Sequence, residues 1–295
     1  MPRPSLYQDG EGKEAGLTDT RAATLFVVAT PLGNVADVSP RAASVLAGAE
    51  AVLCEDTRRT GLLLKSLGIT AKRLTSFHEH NEEARLPQVL ALLDAGDDLA
   101  LVSDAGTPLL ADPGYRLVRA AREAGHAVSP VPGPSAILAA LSAAGIAPYP
   151  FSFLGFPPRT ASEARELFAR FGATGATLVF FERKTRLRAT LAIALQALGD
   201  RECVLCRELT KTFEEFLPGT LAGFAGQELE LLGEVTVVVG PGRAARASEE
   251  EAARVAREEA AAGGKPREAA RRAAARLSGW TVKEVYAMLE NRKHD

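Results

Sequence analysis

The chain has 295 residues, of which 46% are hydrophobic and 24% are charged, a composition typical of soluble globular proteins. Its 35 Lys and Arg residues against 37 Asp and Glu residues give a formal net charge of -2, which excludes a uniformly basic nucleic-acid coat but not a local basic patch. Three scattered cysteines exclude a disulfide scaffold. No apolar run approaches the roughly 18 residues of a membrane span. With no apolar signal near the N-terminus, the sequence predicts a cytoplasmic protein without membrane contact.

The first half of the chain has the pattern of a parallel α/β domain. Residues 1–22 lack periodicity and are expected to form a disordered leader. From Thr24, apolar runs alternate with helical patterns, which predicts βα units around a sheet covered on both faces. The predicted strands are 24–30, 51–54, 73–77, 99–103 and 127–131. The predicted helices are 40–49, a helix that follows strand 51–54 and ends at 68, 82–95, about 114–124, and 135–144.

The second half predicts a smaller mixed sheet and a helical tail. Four prolines over residues 146–159 interrupt the repeat, which places the domain boundary at 147/148. The predicted strands are 177–181, 203–206, 212–216 and 235–239, with a helix at 185–198 and a turn at Leu217-Pro218-Gly219. The predicted organisation is a leader (1–22), an N-terminal α/β domain (23–147), a second α/β domain (148–242) and a helical tail (243–295).

The tail predicts three short helices, the last two joined by a glycine turn as in a helix-turn-helix. Ser248 with Glu251, and Thr281 with Glu284, form capping boxes. Residues 265–293 hold eight Lys and Arg residues against three acids, a surplus of five. Because the first tail helix is acidic, nucleic-acid contact and simple packing on the body are equally good interpretations of this surplus.

Polar, Gly and Pro residues follow all five predicted strands of the first domain. The carboxyl ends of parallel strands share one edge, where ligands of such sheets bind, so the set indicates a site there, although any single loop is explained as a tight turn. The loops are 31–34, 55–59, 78–81, 104–108 and 132–135. The first of these loops lacks the G-x-G-x-x-G motif of dinucleotide-binding folds, and the chain has no P-loop motif. Glycines that admit a close backbone approach favour a neutral or weakly charged adenosine-type ligand.

Metal binding is the weaker interpretation of the cysteines and histidines. Cys203 and Cys206 have C-x-x-C spacing but lie in a predicted strand, where that spacing puts them on opposite faces. His78 and His80 point the same way only if their loop is extended, and no third ligand is evident. No metal is therefore predicted. Charged groups at 182–184 and 207–211 give the second domain a partly cationic edge suited to a phosphodiester.

Seven segments together resemble the ribosomal RNA small subunit methyltransferase I family, within the wider tetrapyrrole-methylase superfamily. The resemblance covers about residues 24–242, and the family's small C-terminal helical domain is similar to the tail. The segments are VATPLGN (28–34), CEDTRRTGLLL (54–64), FHEHNE (77–82), LVSDAGTPLLADPGYRLV (101–118), PVPGPSA (130–136), FFERKTRL (180–187) and CRELTKTFEE (206–215).

The resemblance implies a homodimeric enzyme with S-adenosylmethionine folded into the cleft between two domains. It implies methyl transfer to the ribose 2′-oxygen of cytidine 1402 in the 16S rRNA of the small ribosomal subunit. By motif match, the cofactor contacts are Pro31, Leu32, Asp104, Ala105, Gly106, Thr107, Ser135, Ala136, Phe181, Leu209 and Thr236.

Methyl transfer is mostly a positioning task, but the 2′-hydroxyl needs a group that accepts its proton. The catalytic candidates are Glu55, Asp56, His78 and Glu182, with His80 and Glu208 also at strand edges. The predicted substrate contacts are Arg58, His80, Asn81, Arg183 and Lys211. Two alternatives stay open: a methylase of the same fold acting on a tetrapyrrole or a protein side chain, and a non-catalytic RNA-binding module.

Overall fold

A computed structural model describes residues 23–227, 233–242, 247–277 and 279–291 of the chain. The predicted leader at 1–22 lies outside the described residues. The chain forms two compact units, divided after Gly133, with the short segment Leu32–Asn34 belonging to the second unit. None of the helices in the described ranges is both long and apolar enough to cross a membrane. The predicted α/β class is confirmed in both units.

The first unit is a five-stranded parallel sheet in the order β3-β2-β4-β1-β5. Its strands are β1 (Thr24–Val28), β2 (Ala51–Cys54), β3 (Leu74–Ser76), β4 (Leu99–Leu101) and β5 (Ala127–Val131). Central strands β2 and β4 are buried along their whole length, because helices cover both faces of the sheet.

Two pairs of helices cover this first sheet. The helices are α1 (Pro40–Gly48), α2 (Thr57–Ser66), α3 (Glu82–Asp94) and α4 (Tyr115–Glu123). Helices α1 and α2 pack on one face through Leu46 and Leu64, and α3 and α4 pack on the other through Leu93 and Leu117. The Ser39 hydroxyl caps α1 by accepting from the Ala42 N–H, and a proline follows at the first helical position, as the sequence predicts.

The second unit contains a mixed five-stranded sheet in the order β6-β7-β10-β8-β9. Strand β6 pairs parallel with β7, and the other three pairs are antiparallel. Its strands are β6 (Phe151–Phe153), β7 (Thr177–Arg183), β8 (Glu202–Arg207), β9 (Glu215–Thr220) and β10 (Glu234–Val239). The sequence analysis does not predict strand β6 or the helix at Ala161–Gly172. For β6 the reason is that prolines on either side hide its short apolar run.

Helices on opposite faces of this second sheet give it two separate cores. The helices are α5 (Ala136–Ala143), α6 (Ala161–Gly172), α7 (Lys184–Leu198) and α8 (Leu221–Ala225). Phe168 of α6 and Leu187 of α7 lie in one core, while Ile137 and Leu141 of α5 lie in the other with Val238 of β10. The predicted boundary at 147/148 assigns α5 to the first domain, whereas the structure packs this helix on the second sheet.

The predicted turn at Leu217-Pro218-Gly219 is wrong. All three residues lie within β9 and pair with β8, Pro218 opposite Val204. Strand β9 is the outer edge of the sheet, and an edge strand tolerates proline because one side needs no ladder hydrogen bond. The connection between β8 and β9 lies instead at residues 208–214.

The tail folds as three helices around a small core of its own. They are α9 (Glu249–Ala261), α10 (Pro266–Arg276) and α11 (Val282–Asn291). The Ser248 hydroxyl caps α9 by accepting from the Glu251 N–H, which is the hydroxyl half of the predicted capping box. Thr281 and Glu284 cap α11 reciprocally, so that predicted box is confirmed. Residues 243–246, 278 and 292–295 of the predicted tail lie outside the described residues.

Part of the tail's basic surplus is neutralised within the tail. Arg272 pairs with Glu259 at 2.8 Å, and Arg276 pairs with both Glu258 and Glu259 at 2.8 and 2.6 Å. These arginines therefore join α10 to the acidic helix α9. For these two residues, packing is the interpretation that the structure supports.

Substitution of Gly114 by alanine tests how tightly the core of the first unit is packed. Its φ is +117°, and a Cβ there would lie 2.6 Å from Leu101 and 2.8 Å from Leu109 side-chain carbons. Gly114→Ala should lower the free energy of unfolding by about 3 kcal/mol through backbone strain and overpacking. Gly68→Ala is the matched control, because Gly68 has φ +68° and open space; it should lose about 1 kcal/mol. Equal losses in urea unfolding would contradict this packing.

Candidate functional site

The carboxyl edge of the first sheet converges where the strand order changes direction. Strand β4 returns between β2 and β1, so β4 and β1 are neighbours whose connections leave in opposite directions. Ligands of open α/β sheets bind at such a point. The loops after β1 and β4 are joined there by two backbone hydrogen bonds, Thr30 N–H to Gly106 O at 2.8 Å and Gly106 N–H to Thr30 O at 3.0 Å.

Side chains below these loops reinforce that junction. The Thr30 hydroxyl donates to Ser103 O, and the Ser103 hydroxyl donates to Ala105 O, both at 3.2 Å. Thr30 and Ser103 are buried. The predicted cofactor residues Pro31, Asp104, Ala105, Gly106 and Thr107 all belong to these two loops.

Two glycines allow the backbone to approach closely here. Gly106 has φ +79°, in the left-handed region that disfavours side chains with a Cβ. A Cβ on Gly133 would come within 3.1 Å of the Ala29 Cβ, so the loop after β5 lies against the end of β1. The loops after β1, β4 and β5 are therefore held close together at this edge.

Glu55, Asp104 and Arg59 form a charged cluster beside the junction. Arg59 donates to Asp104 at 2.6 Å, and Asp104 also accepts from the Asp56 N–H at 3.3 Å. The pKa of Glu55 is raised, first by burial and then by the negative charge of Asp104. Glu55 Oε1 is buried and has no hydrogen-bond partner within the described chain. The cluster thus holds the Asp104 carboxylate paired with an arginine and the Glu55 carboxylate with one buried oxygen that has no partner among the described residues.

Asp56 has a structural function at the start of α2. Its carboxylate accepts from the Arg58 N–H at 2.9 Å and from the Arg58 guanidinium at 2.8 and 3.1 Å. The Arg58 side chain lowers the pKa of Asp56 to about 2, which makes this carboxylate a weak base. The structure therefore favours Glu55 over Asp56 as the group that accepts a proton, and it pairs Arg58 with Asp56.

His78 is oriented by Asn81. The Asn81 Oδ1 accepts from the His78 backbone N–H at 2.8 Å, so its Nδ2 donates to Ser76 O and faces His78 Nε2 at 3.1 Å. Nε2 is then the acceptor, and the neutral ring carries its proton on Nδ1. Nδ1 is buried and without a partner in the described ranges. Asn81 thus fixes the orientation of the His78 ring.

The loop of His78 and His80 is not extended. His78 O accepts from the N–H groups of Asn81 and Glu82, which makes this segment a turn. The two imidazole rings lie edge to face with centroids 6.0 Å apart. His80 is exposed, whereas His78 is half-buried. The condition under which both histidines could bind one metal ion is therefore not met.

The predicted cofactor residues of the second unit cluster on the α5 face of its sheet. Leu32, Ala136, Phe181 and Leu209 belong to one apolar cluster, and Thr236 pairs with Phe181 in the β7–β10 register. Ser135 is the N-cap of α5. The structure thus brings together five residues that are separated by up to 204 positions in the sequence.

The β8–β9 connection has a strained backbone. Glu208 and Thr210 have φ values of +49° and +64°, a cost typical of functional loops. The Thr210 hydroxyl accepts from the Asn34 N–H at 3.1 Å, and Lys211 pairs with Glu208 at 3.0 Å. A Cβ on Gly33 would collide with the Lys211 side chain. The predicted substrate residue Lys211 is therefore fixed against the segment Leu32–Asn34.

Glu182 is buried at the end of β7, with no exposed surface. One carboxylate oxygen accepts from the Arg183 N–H at 2.8 Å, and the other accepts from the Thr190 hydroxyl at 2.6 Å and faces Arg186 at 3.3 Å. This geometry favours a structural role over a catalytic one. Arg183, in contrast, is exposed and lies 3.9 Å from Glu234.

The cysteines are core residues. Cys203 lies in the cluster of α6 and α7, and Cys206 lies in the cluster of α5, on the other face of the sheet. Burial raises the pKa of both thiols, that of Cys206 to about 12. They cannot converge on one ion. Across the described residues, no group of three or more His, Cys, Asp or Glu side chains could hold a metal.

The sequence reasoning missed Thr30, Ser103 and Arg186. The first two are small buried polar residues whose role is to join loops 73 positions apart, which no local pattern signals. Arg186 donates to two carbonyls 28 and 29 positions earlier in the chain. A signal was available only for Arg186, which lies four residues after Glu182 in the sequence.

Comparison with known proteins now identifies the family. The profile of the family described as Tetrapyrrole (Corrin/Porphyrin) Methylases matches residues 24–225. The chain belongs to this family. It is therefore a methyltransferase, and the resemblance found in its sequence motifs is confirmed by its relatives.

Several proteins named ribosomal RNA small subunit methyltransferase I are similar along most of their length. That of Mesorhizobium japonicum is 42% identical over 269 residues, covering 90% of each chain. That of Escherichia coli O157:H7 is 39% identical over 279 residues, covering 93% of this chain and 97% of the other.

Two solved structures share the fold. A cobalt precorrin-4 methyltransferase superposes with a TM-score of 0.57 and 14% identity, covering 76% of this chain and 97% of its own. A diphthine synthase superposes with a TM-score of 0.59 and 16% identity, covering 74% and 90%. At these identities the likeness concerns the fold alone, and it confirms the predicted fold class.

Removing the charge of Glu55 and removing that of Asp56 should have opposite effects on the free energy of unfolding. The pKa of Glu55 is raised above its ordinary 4.5, so this carboxyl favours folding below that pH, and the contribution is lost as pH rises through the folded pKa. The pKa of Asp56 is lowered from 3.8 to about 2, so its contribution is present above pH 3.8 and lost as pH falls towards 2. At pH 7, Glu55→Gln should raise the free energy of unfolding and Asp56→Asn should lower it.

Urea unfolding of both variants and the parent chain at pH 4.5 and 7.5 measures these effects. The gain from Glu55→Gln should shrink at the lower pH, because more of Glu55 is protonated in the folded parent there than at pH 7.5. A loss of stability from Glu55→Gln at pH 7.5 would contradict an unsatisfied carboxylate at this position.

Proposed function

We propose that this methyltransferase transfers a methyl group from S-adenosylmethionine to the ribose 2′-oxygen of cytidine 1402 in the 16S rRNA of the small ribosomal subunit. The observation that carries the proposal is the pair of unsatisfied buried atoms, Glu55 Oε1 and His78 Nδ1, at the carboxyl edge of the first sheet. The names of the relatives in Mesorhizobium and Escherichia coli support the substrate. We further propose a cytoplasmic homodimer.

The first unit suits an adenosine-type methyl donor. S-adenosylmethionine has no phosphate, so neither a P-loop nor a G-x-G-x-x-G turn is needed. The segments Thr30–Pro31 and Asp104–Thr107 offer main-chain groups around Gly106, where a Cβ is disfavoured. We assign first-unit contacts with the donor to Pro31, Asp104, Ala105, Gly106 and Thr107.

The second unit suits the same ligand through apolar contacts. Leu32, Ala136, Phe181 and Leu209 share one cluster, and with Ser135 and Thr236 they complete the proposed donor contacts. When bound, the donor supplies an electrophilic methyl carbon on a sulfonium. The chain then has to orient the ribose oxygen towards that carbon and remove its proton.

Glu55 is proposed as the base that accepts the proton of the ribose hydroxyl. His78 is proposed as a hydrogen-bond donor to the same hydroxyl. A ribose hydroxyl has one donor and two acceptor positions, which match a carboxylate and the Nδ1–H of the imidazole. The raised pKa of Glu55 makes it a stronger base than an ordinary carboxylate. The Glu55 carboxylate would accept the hydroxyl proton as the oxygen–methyl bond forms and the carbon–sulfur bond of the donor breaks, so that the sulfur leaves as a neutral thioether.

Exposed cations provide the proposed contacts with the RNA backbone. Arg183 and Lys211 keep much of their side chains in solvent, where guanidinium and ammonium groups attract phosphates. Arg58 and the loop residues His80 and Asn81 complete the proposed substrate contacts of the first unit.

Labelled S-adenosylmethionine tests the proposed substrate class. The protein should transfer label to purified small ribosomal subunits that lack the modification, and not to large subunits, precorrins or protein substrates. Label in a tetrapyrrole or a protein would support the alternative methylases. Calorimetry without any S-adenosylmethionine binding would instead support a non-catalytic RNA-binding module.

Glu55→Gln should separate catalysis from donor binding. A lost general base typically lowers rate by about 10²- to 10⁴-fold, so kcat for small subunits should fall in that range. The dissociation constant for S-adenosylmethionine should stay within about threefold of the parent. Asp56→Asn is the matched control, because Asn retains the helix cap, and its kcat should change much less. Loss of donor affinity in Glu55→Gln would contradict the substrate-side assignment.

A further inference from the structure

Phe156 presents an exposed aromatic ring that packs against a pair of half-buried ones. It is 38% exposed, and its ring centroid lies 5.6 Å from that of Phe181, which in turn contacts Phe153 at 4.9 Å. Solvent-facing aromatic rings backed by other rings form rigid apolar surfaces. Such surfaces bind the faces of nucleobases.

The loop that carries Phe156 is held at both sides of the ring. Gly155, with φ +64°, accepts from the Phe181 N–H at 2.9 Å. After the ring, Arg186 donates to the carbonyls of Pro157 and Pro158 at 3.0 and 2.9 Å. These bonds and the two prolines restrict the motion of the loop.

Glu182 holds Arg186 in place. It has no exposed surface, and its Oε2 lies 3.3 Å from the Arg186 guanidinium and accepts from the Thr190 hydroxyl. A buried carboxylate is costly unless it is paired and hydrogen-bonded. Here the charge also fixes an arginine that donates hydrogen bonds to the Phe156 loop.

Three cations lie within three residues of Phe156 or Phe181 in the sequence. Arg159, Arg183 and Lys184 are exposed, and the first turn of α7 contains no acidic residue, although acids are favoured at that end of a helix. Alternating aromatic and basic side chains are typical of single-stranded nucleic-acid binding. S-adenosylmethionine has no phosphate, so a group of several cations matches the RNA backbone better than it matches the donor.

We propose that Phe156 stacks on an unpaired nucleobase of the RNA substrate and that Glu182 and Arg186 are positioning residues for it. This inference rests on the proposed function, since it names a contact for the same RNA. It also gives Glu182 a function that needs no access to the reacting atoms.

Phe156→Leu tests the stacking contact, because leucine keeps apolar packing on Phe181 but has no π-face. The KM for small ribosomal subunits should rise about tenfold, within the range for loss of one stacked base, while kcat and the dissociation constant for S-adenosylmethionine stay within about twofold. Phe156→Trp should restore the KM. Tyr149→Leu is the matched control, because Tyr149 is 83% exposed at the opposite end of β6.

Unchanged KM in Phe156→Leu would overturn the proposal, as would an equal rise in the Tyr149→Leu control. Weaker S-adenosylmethionine binding in Phe156→Leu would assign the ring to the donor's adenine instead, and so also overturn it. Light scattering of each variant establishes that its oligomeric state equals that of the parent.

Arg186→Met and Glu182→Gln test the positioning residues. Like Phe156→Leu, each variant should raise the KM for small subunits and leave kcat unchanged. When either is combined with Phe156→Leu, the KM of the double variant should not exceed that of Phe156→Leu alone. Glu182→Gln retains an acceptor for Thr190, which protects the fold. A fall in kcat with unchanged KM would show that Glu182 acts in catalysis, and additive effects would show that the network is independent of the ring.

Fluorescence distinguishes failure of this inference from failure of the proposed function. A single-stranded oligoribonucleotide containing 2-aminopurine should be quenched on binding to the parent chain, and Phe156→Leu should remove most of that quenching. Quenching that persists in Phe156→Leu would overturn the stacking contact even in an active enzyme. A parent chain that methylates no small subunits, yet shows Phe156-dependent quenching, would overturn only the proposed reaction.

Discussion

The paired hydrogen bonds between Thr30 and Gly106 are the constraint on which the first unit's site depends. They join the loops after β1 and β4, where the connections of the sheet diverge. A parallel sheet leaves the carboxyl ends of its strands open, and without this bridge the two loops would separate. The buried hydroxyls of Thr30 and Ser103 complete the junction. The Asp104 carboxylate, just beyond it, is thereby held at a fixed distance from Arg59 and the start of α2.

The charges in the two units follow a common principle, although the units use them differently. Asp56 and Glu182 both have their carboxylates satisfied by backbone N–H groups and an arginine, so they organise the start of a helix. Glu55 is instead left with a buried oxygen that no described residue satisfies. Unsatisfied buried groups cost stability, and they persist where function requires them. The difference between these carboxylates is thus one of surroundings and not of residue type.

The elements of the first unit were predictable from the sequence because their signals are local. Ser39 before Pro40 starts α1, and continuous apolar runs such as 51–54 predict buried strands. Pro218 led to the wrong prediction of a turn, because only the pairing of the whole sheet shows that β9 is an edge strand. The site was predictable as a set of loops, but the division of roles between Glu55 and Asp56 was not. That division depends on Arg58 folding back and on Asp104 approaching from another strand, which a linear pattern does not contain.

Mapping the methylated nucleotide tests the central claim most directly. Small ribosomal subunits without the modification would be incubated with purified protein and labelled S-adenosylmethionine, and the 16S rRNA digested and analysed by mass spectrometry. The account predicts one added methyl group on the ribose of cytidine 1402. A methyl group on a base, on another nucleotide or on no RNA would contradict it.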